Sequence, residues 1–252
     1  FKEGAGYADT KAPFSSQESN DPEALWAALA EYEAITGGQV LAIPHNANVS
    51  NGRMFAPIRH SGETYDRDYA LARRRWEPLF EVTQVKGDSE THPKVSTDDR
   101  YADFERWDEG NIQLTQPKQD WMLFQEYARP TLQRGLKYRE QLGVNPFEFG
   151  LIGASDSHTG YSTVSEDNFF GKFQNSEPSA SRMFSRMADV LNTNWRLSAS
   201  GLTAVWAQSN TRDALFDALQ RREVYATTGS RITLRFFGGW HFAEADLQAV
   251  PL

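Results

Sequence analysis

The sequence predicts an α/β fold in which helices pack outside a parallel sheet or barrel, and three observations support this class. Amphipathic helical stretches alternate with short apolar runs of strand length. The chain has 252 residues, which suits one large α/β domain. No repeat and no low-complexity tract divides it. We therefore expect a single domain over residues 1–252.

The first third of the chain predicts two helices, each followed by a strand. Capping residues and a proline at 20–23 predict a helix that ends at the glycines 37–38. The apolar run 40–43 has the length of a buried strand. Residues 65–76 predict the second helix and residues 78–85 the next strand.

The rest of the chain continues this alternation. Residues 120–142 predict a long helix that is broken near Pro130, because the proline ring disrupts a helix interior. The later elements are strands at 149–154, 201–207 and 224–228, a helix at 212–222, and long polar loops at 87–119 and 160–181.

Composition limits the classes of partner and cofactor. The formal net charge of −8 argues against a large surface for duplex nucleic acid, although it allows a local cationic pocket for a small anion. No run approaches the roughly 20 apolar residues of a membrane span. The chain has no cysteine, so any metal must be held by imidazole and carboxylate groups. We expect neither a nucleic-acid nor a membrane partner.

Three polar clusters directly follow predicted strands. They are His45-Asn46 with Asn48, the stretch 84–88, and the stretch 156–158. Ligands of parallel α/β folds gather beyond the carboxyl ends of the strands. The three clusters are therefore predicted to form one site.

Asp156 and His158 are candidate metal ligands, and His45 is a third. The i, i+2 spacing directs both side chains of the pair to one side if the strand geometry persists. The alternative for the pair is that Asp156 caps a turn and His158 lies on the surface. The alternative for His45 is a buried histidine that is bonded to a carbonyl group.

Glu81 and His92 are the candidate catalytic residues. Glu81 lies within a predicted apolar strand, where a carboxylate needs a cation, a metal or strong donors as its partner. A nearby arginine or lysine could also satisfy it. His92 is a candidate acid in a predicted loop, with an ordinary surface position as the alternative.

The candidate substrate-binding residues are amides and cations near the predicted strand ends. Asn46 and Asn48 belong to the first polar cluster, and Lys86 follows the strand that carries Glu81. Arg53 is a further cation that could hold an anionic substrate, as is Arg59. For each cation the alternative is a solvated surface group. The sequence lacks the motifs of serine hydrolases, nucleotide-binding loops and zincins.

Four longer motifs, at 42–52, 80–93, 150–159 and 204–229, resemble a bacterial family of unknown function within the polymerase and histidinol phosphatase (PHP) superfamily. The resemblance implies a distorted (β/α)7 barrel with two or three divalent metal ions, Zn²⁺ or Mn²⁺. It implies that a metal-activated water hydrolyses the phosphoester bond of a small anionic substrate. It also implies that His158 or His92 donates the proton to the leaving group. Alternatives are hydrolysis of carboxylic or carbamate esters, or a barrel that binds a ligand without catalysis.

The resemblance assigns His45 to the late histidine ligand and Asp156 with His158 to the terminal ligand pair. Glu81 matches no ligand position, and its expected place is beside the ligands or on the substrate. The superfamily's opening metal motifs would precede Phe1, and the resemblance implies that the chain also stops within the family at its other end. We therefore expect a partial barrel that is incomplete at both ends. The resemblance leaves the compartment open between bacterial cytoplasm and periplasm.

Overall fold

The computed structural model describes residues 1–158, 172, 179–185, 194–198 and 201–248. These residues form a mixed α/β fold with two small sheets and, within the described ranges, no closed barrel. The predicted α/β class is confirmed at this level. Most of the predicted loop 160–181 lies outside the described residues.

The elements follow one another in nearly the predicted order. The helices are α1 (Ala5–Ala8), α2 (Pro22–Thr36), α3 (Arg67–Trp76), α4 (Asp120–Leu123), α5 (Ala128–Leu142) and α6 (Arg212–Gln220). The strands are β1 (Leu79–Gln84), β2 (Gly87–Asp88), β3 (Gly150–Gly153), β4 (Gly201–Val205) and β5 (Val224–Thr228).

Local signals account for α2 and α3. The side chain of Asp21 accepts the N–H of Glu23 at 2.9 Å and so caps α2, which ends at Gly37 with φ of +67°. The side chain of Asp66 accepts the N–H of Tyr69 at 2.8 Å at the start of α3. Both helices confirm the sequence predictions.

The predicted strand at 40–43 is wrong, because this segment pairs only through isolated hydrogen bonds. Ala42 donates to the carbonyl of Trp76 at 2.7 Å, and Glu81 donates to the carbonyl of Pro44 at 3.0 Å. Pro44 has no N–H with which to continue a ladder. The segment nevertheless runs beside β1 and delivers His45 to the end of that strand.

The predicted break in the helix at 120–142 is present, but it lies before Pro130. Residues 124–127 separate α4 from α5, and Pro130 stands in the first turn of α5. A proline is tolerated there because the first-turn N–H groups need no partner within the helix. Two neighbouring amides of this turn, those of Ala128 and Arg129, donate to the carbonyls of Ser89 and Glu90.

The sheets are less parallel than predicted. β1 pairs in parallel with β3, but it pairs antiparallel with β2 because only two residues connect these strands. β4 and β5 are also antiparallel. The N–H of Trp206 donates to the carbonyl of Glu223 at 2.9 Å, so the chain leaves β4 and enters β5 at the same end.

Two glycines bring the sheets together. A Cβ on Gly153 would lie 2.8 Å from the carbonyl oxygen of Leu202, and one on Gly201 would lie 2.9 Å from that of Thr83. The N–H of Ala154 donates to the carbonyl of Thr83 at 3.0 Å, and the carbonyl of Ala154 accepts the N–H of Gly201 at 2.9 Å. The carboxyl ends of β1 and β3 therefore meet the start of β4 at one edge.

Aromatic side chains fill the core behind this edge. The rings of Phe55 and Phe80 are 5.0 Å apart, and those of Phe55 and Phe147 are 5.6 Å apart. The guanidinium of Arg73 packs against this group and pairs with Glu77 at 3.0 Å. Among the described helices, none is both long and apolar enough to cross a bilayer.

Candidate functional site

Polar side chains from separate parts of the chain meet at the carboxyl edge of β1 and β3. We call this group the strand-end cluster. It consists of His45, Asn46, Glu81, Gln84, Lys86, Asp156, His158 and Lys172.

Glu81 is the carboxyl group that β1 contributes to the cluster. The amide Nε2 of Gln84 donates to Glu81 Oε1 at 2.9 Å and to Asn46 Oδ1 at 3.0 Å. These bonds connect the segment that carries Asn46 to β1. Burial raises the pKa of the Glu81 carboxyl, and the nearby Asp156 carboxylate raises it further. The Gln84 amide, the His45 imidazole and the Lys86 ammonium oppose this rise without cancelling it. Glu81 is thus a carboxyl group whose proton is held more tightly than usual.

Asp156 is the carboxylate on which both lysines of the cluster meet. Its carboxylate accepts from the ammonium groups of both Lys86 and Lys172, and its Oδ1 lies 3.0 Å from His158 Nε2. Burial acts to raise the pKa of the Asp156 carboxyl, but the two ammonium groups outweigh burial and hold the pKa below its usual range. Asp156 is therefore ionised at neutral pH.

Lys172 is the member of the cluster that sequence reasoning missed. Its side chain is 5% exposed, its Nζ lies 3.0 Å from His158 Nε2, and its carbonyl accepts the N–H of His158 at 3.0 Å. Burial is the main cause that lowers the pKa of its ammonium to about 8. No signal in the sequence sets it apart, because it belongs to a polar stretch without periodicity.

Two residues of the cluster have left-handed backbone conformations. The φ angles are +60° at Asn46 and +53° at Asp156. Asn and Asp tolerate this region better than other residues with a Cβ, but a non-glycine residue there still carries strain. Such strain is concentrated at binding and catalytic sites.

Two predicted substrate residues lie outside the cluster. Asn48 is 1% exposed, and its amide is engaged by Lys86, Trp107 and Ser89 within the protein. Arg53 is exposed next to Gly52, which packs against Trp121 of α4. Arg59, also a candidate cation, pairs with Asp66 at the start of α3 and lies over the Tyr69 ring.

His92 is buried rather than on the surface, with 1% exposure. Its Nδ1 accepts the N–H of Lys94 at 3.1 Å, so in this geometry Nε2 carries the proton and donates to Asp108 at 2.9 Å. Both ring nitrogens are thus engaged within the protein. None of the described contacts joins His92 to the strand-end cluster directly.

Almost the whole chain matches the profile of a known protein family. A family profile described as "Protein of unknown function (DUF3604)" matches residues 1–251. The chain belongs to the DUF3604 family. No curated protein and no solved structure matches it.

Membership in the DUF3604 family corrects one prediction. Assignment to the PHP superfamily is wrong: the profile that matches almost the whole chain is that of a family of unknown function, and nothing in the comparisons indicates the superfamily. The resemblance rested on the four motifs at 42–52, 80–93, 150–159 and 204–229. Polar residues at the ends of strands occur in α/β folds of unrelated function. For this DUF3604 protein, function must therefore be argued from the cluster itself.

The donor set of the cluster fits a divalent metal by its chemistry. Imidazoles from His45 and His158 and carboxylates from Asp156 and Glu81 suit Zn²⁺ or Mn²⁺. In the described ranges no three such donors converge on one point, and the ammonium groups of Lys86 and Lys172 occupy the carboxylate that a metal would share. The types of donor are present, and the lysines compete with a cation for Asp156.

Asp88, beside the cluster in the β1–β2 hairpin, provides a test of the electrostatics in this DUF3604 protein. Burial and the carboxylates of Glu90 and Glu105 raise its pKa to about 7, although the Glu90 and Thr91 amides oppose the rise. An unfolded aspartate titrates near pH ~3.9, so the folded state binds more protons between these values and loses stability as the pH rises.

We expect Asp88→Asn to stabilise the protein above pH 7 and to have little effect near pH 4, because asparagine carries no charge to bury. The expected gain is on the order of a few kcal/mol. Urea unfolding at pH 5 and pH 8 measures it, and the exposed Asp98→Asn is the control. A gain of equal size at both pH values would contradict the burial of the Asp88 charge.

Proposed function

We propose that this DUF3604 protein is a metal-dependent hydrolase of small anionic esters, phosphoesters foremost, and that the strand-end cluster is its active site. The observation that carries the proposal is the meeting of titratable side chains from three distant segments, represented by His45, Glu81 and Asp156, at one edge of the sheet. Ligands of α/β folds are bound at this edge.

The two buried lysines give the cluster its preference for an anion. Lys86 and Lys172 are 3% and 5% exposed at their side chains, and both bond to the single carboxylate of Asp156. Two sheltered ammonium groups on one carboxylate are charged donors of the kind that bind an anionic substrate group.

Proton transfer falls to Glu81 in this proposal. The raised pKa of Glu81 brings it nearer to neutrality, where a carboxyl group exchanges a proton most effectively, and Gln84 fixes its orientation. The His158 side chain is 51% exposed, so the metal site that it would complete is open to an ester. His92 is not the proton donor in this proposal, because both of its ring nitrogens are engaged within the protein.

His45, Asp156 and His158 would hold the metal, with Glu81 beside them. Zn²⁺ or Mn²⁺ in such a site supplies Lewis-acid polarisation and activation of water. The residues of the chain orient the ester, neutralise its charge and move the proton.

We also propose that β1 and β3 belong to a partial barrel that the β4–β5 pair extends. The close approaches at Gly153 and Gly201 support this arrangement. It would account for a site at the carboxyl ends of the strands.

Metal analysis followed by an activity panel tests the proposed function. The purified protein is assayed on 4-nitrophenyl phosphate, bis(4-nitrophenyl) phosphate, 4-nitrophenyl acetate and a phenyl carbamate, with Zn²⁺ or Mn²⁺ and after chelation. We expect turnover of a phosphoester that chelation removes and metal restores. Turnover that is insensitive to chelation, or no turnover on any ester, would reject a metal-dependent hydrolase.

A domain that binds anions without catalysis is the second candidate. The observation that favours it is the pairing of Asp156 with two ammonium groups instead of an open ligand site. It predicts that inorganic phosphate raises the melting temperature while no ester in the panel is converted.

We expect Lys86→Met to raise the KM for an anionic ester by roughly 10- to 100-fold, since a hydrogen bond to a charged group contributes about 1.5–3 kcal/mol. The KM for a neutral ester is expected to change much less. Steady-state kinetics on both esters measure the difference, with exposed Lys137→Met as the matched control. Equal changes for neutral and anionic esters would refute the role of Lys86 in anion binding.

A further inference from the structure

The backbone of Lys86 is held from both sides by side-chain amides. Its N–H donates to Gln84 Oε1 at 3.2 Å, and its carbonyl accepts from Asn48 Nδ2 at 2.8 Å. The next residue, Gly87, has φ of +98°, and a Cβ there would lie 2.7 Å from the Cβ of Trp107. The turn that carries Lys86 therefore has one well-defined backbone position.

Asn48 supplies the longest-range of these restraints, and its amide is fully used. Nδ2 donates to the carbonyls of Lys86 and Trp107 at 2.8 and 2.9 Å, and Oδ1 accepts from Ser89 Oγ at 3.0 Å. Asn48 is 1% exposed, so water cannot replace these hydrogen bonds without a free-energy cost.

The position of the turn determines where the ammonium of Lys86 lies. The Lys86 side chain is 3% exposed and surrounded by protein, and it ends on the carboxylate of Asp156. A buried stem has few alternative rotamers, so a shift of the turn moves the ammonium away from Asp156.

We propose that Asn48 is a positioning residue for Lys86: its amide fixes the turn after β1 and thereby keeps the ammonium in the strand-end cluster. The consequence for substrate binding rests on the proposed function, whereas the positioning of Lys86 does not. The sequence context of Asn48 predicts a substrate-binding residue, whereas its buried side chain supports the cluster instead.

The test compares Asn48→Asp with Ser89→Ala in the full chain. Asn48→Asp keeps the shape of the side chain but removes both donations from Nδ2. Ser89→Ala removes the donor to Asn48 Oδ1 and the acceptor of the Asn48 N–H, but it leaves both Nδ2 donations in place. It is therefore a matched control for loss of buried hydrogen bonds at Asn48. Brief labelling with acetic anhydride, read by mass spectrometry at each lysine, reports the freedom of Lys86 relative to exposed Lys137.

We expect Asn48→Asp to raise the labelling rate of Lys86 by about 5-fold, the change that corresponds to one lost hydrogen bond, and Ser89→Ala to leave it unchanged. Equal labelling of Lys86 in the two variants would overturn the positioning role. If Asn48→Asp does not fold, Asn48→Ser removes the same donations without a buried charge and is judged by the same comparison.

Binding of inorganic phosphate separates the two levels of the proposal. Weaker phosphate binding together with faster Lys86 labelling in the Asn48 variant supports both the positioning role and the anion site. Faster labelling with unchanged phosphate binding keeps the positioning role and overturns its consequence for substrate binding.

Discussion

Replacement of Asp156 with asparagine is expected to lower kcat/KM on an anionic ester by at least roughly 100-fold, because changes at outer-shell partners of a metal already cost about 10- to 100-fold. The variant loses the charge that holds Lys86 and Lys172 and one predicted metal ligand. Bound Zn²⁺ or Mn²⁺ is expected to fall in parallel. Steady-state kinetics and metal analysis of the purified variant measure both effects.

The matched control for this change is Asp108→Asn. Asp108 is also a partly buried carboxylate that pairs with a histidine, but it bonds to His92 outside the strand-end cluster. We expect the Asp108→Asn variant to turn over the ester at close to the wild-type rate. Wild-type turnover in Asp156→Asn, or an equal loss in the two variants, would contradict a special role for Asp156.

Replacement of Glu126 with alanine is expected to destabilise the fold by roughly 3–5 kcal/mol, because it leaves a buried ammonium group without its partner. Lys118 Nζ lies 2.6 Å from Glu126 Oε1, and the two side chains are 8% and 0% exposed. Burial raises the pKa of Glu126 and lowers that of Lys118, which marks both charges as costly to isolate. Urea unfolding measures the loss, which is a large part of the ~5–15 kcal/mol typical of a folded domain.

Two further variants make this prediction specific. Glu90→Ala removes the exposed partner of Arg129 and is expected to change stability by about 1 kcal/mol or less. A double change, Lys118→Met with Glu126→Leu, removes both buried charges and is expected to recover most of the stability. A loss in Glu126→Ala no greater than in Glu90→Ala would show that the buried pair is unimportant.

The sequence predicts the elements of this fold better than their pairing. Capping residues and apolar periodicity are local, so the bounds of α2, α3 and β5 follow from them. Parallel or antiparallel pairing depends on contacts between distant residues. The alternation around α6 therefore predicted a parallel pair, whereas β4 and β5 are antiparallel.

The site is predictable in its location but not in its charge balance. Polar residues after apolar runs predict one shared edge for the segments that carry His45, Lys86 and Asp156. In the structure Lys86 bonds to Asp156, and His45 acts on Glu81 of β1. Lys172 has no such context, and no local pattern links it to Asp156, which lies 16 residues away in the sequence. Asn48 resembles a substrate residue in sequence because it shares a segment with His45, yet its side chain is buried.

The most direct test of the account is a crystal structure of the protein with Mn²⁺, in which anomalous scattering locates the ion. We predict a peak at the strand-end cluster, ligated by His45, Asp156 and His158, with the ammonium groups of Lys86 and Lys172 moved off the Asp156 carboxylate. A fully occupied ion elsewhere, with both lysines still bonded to Asp156, would contradict the proposed active site.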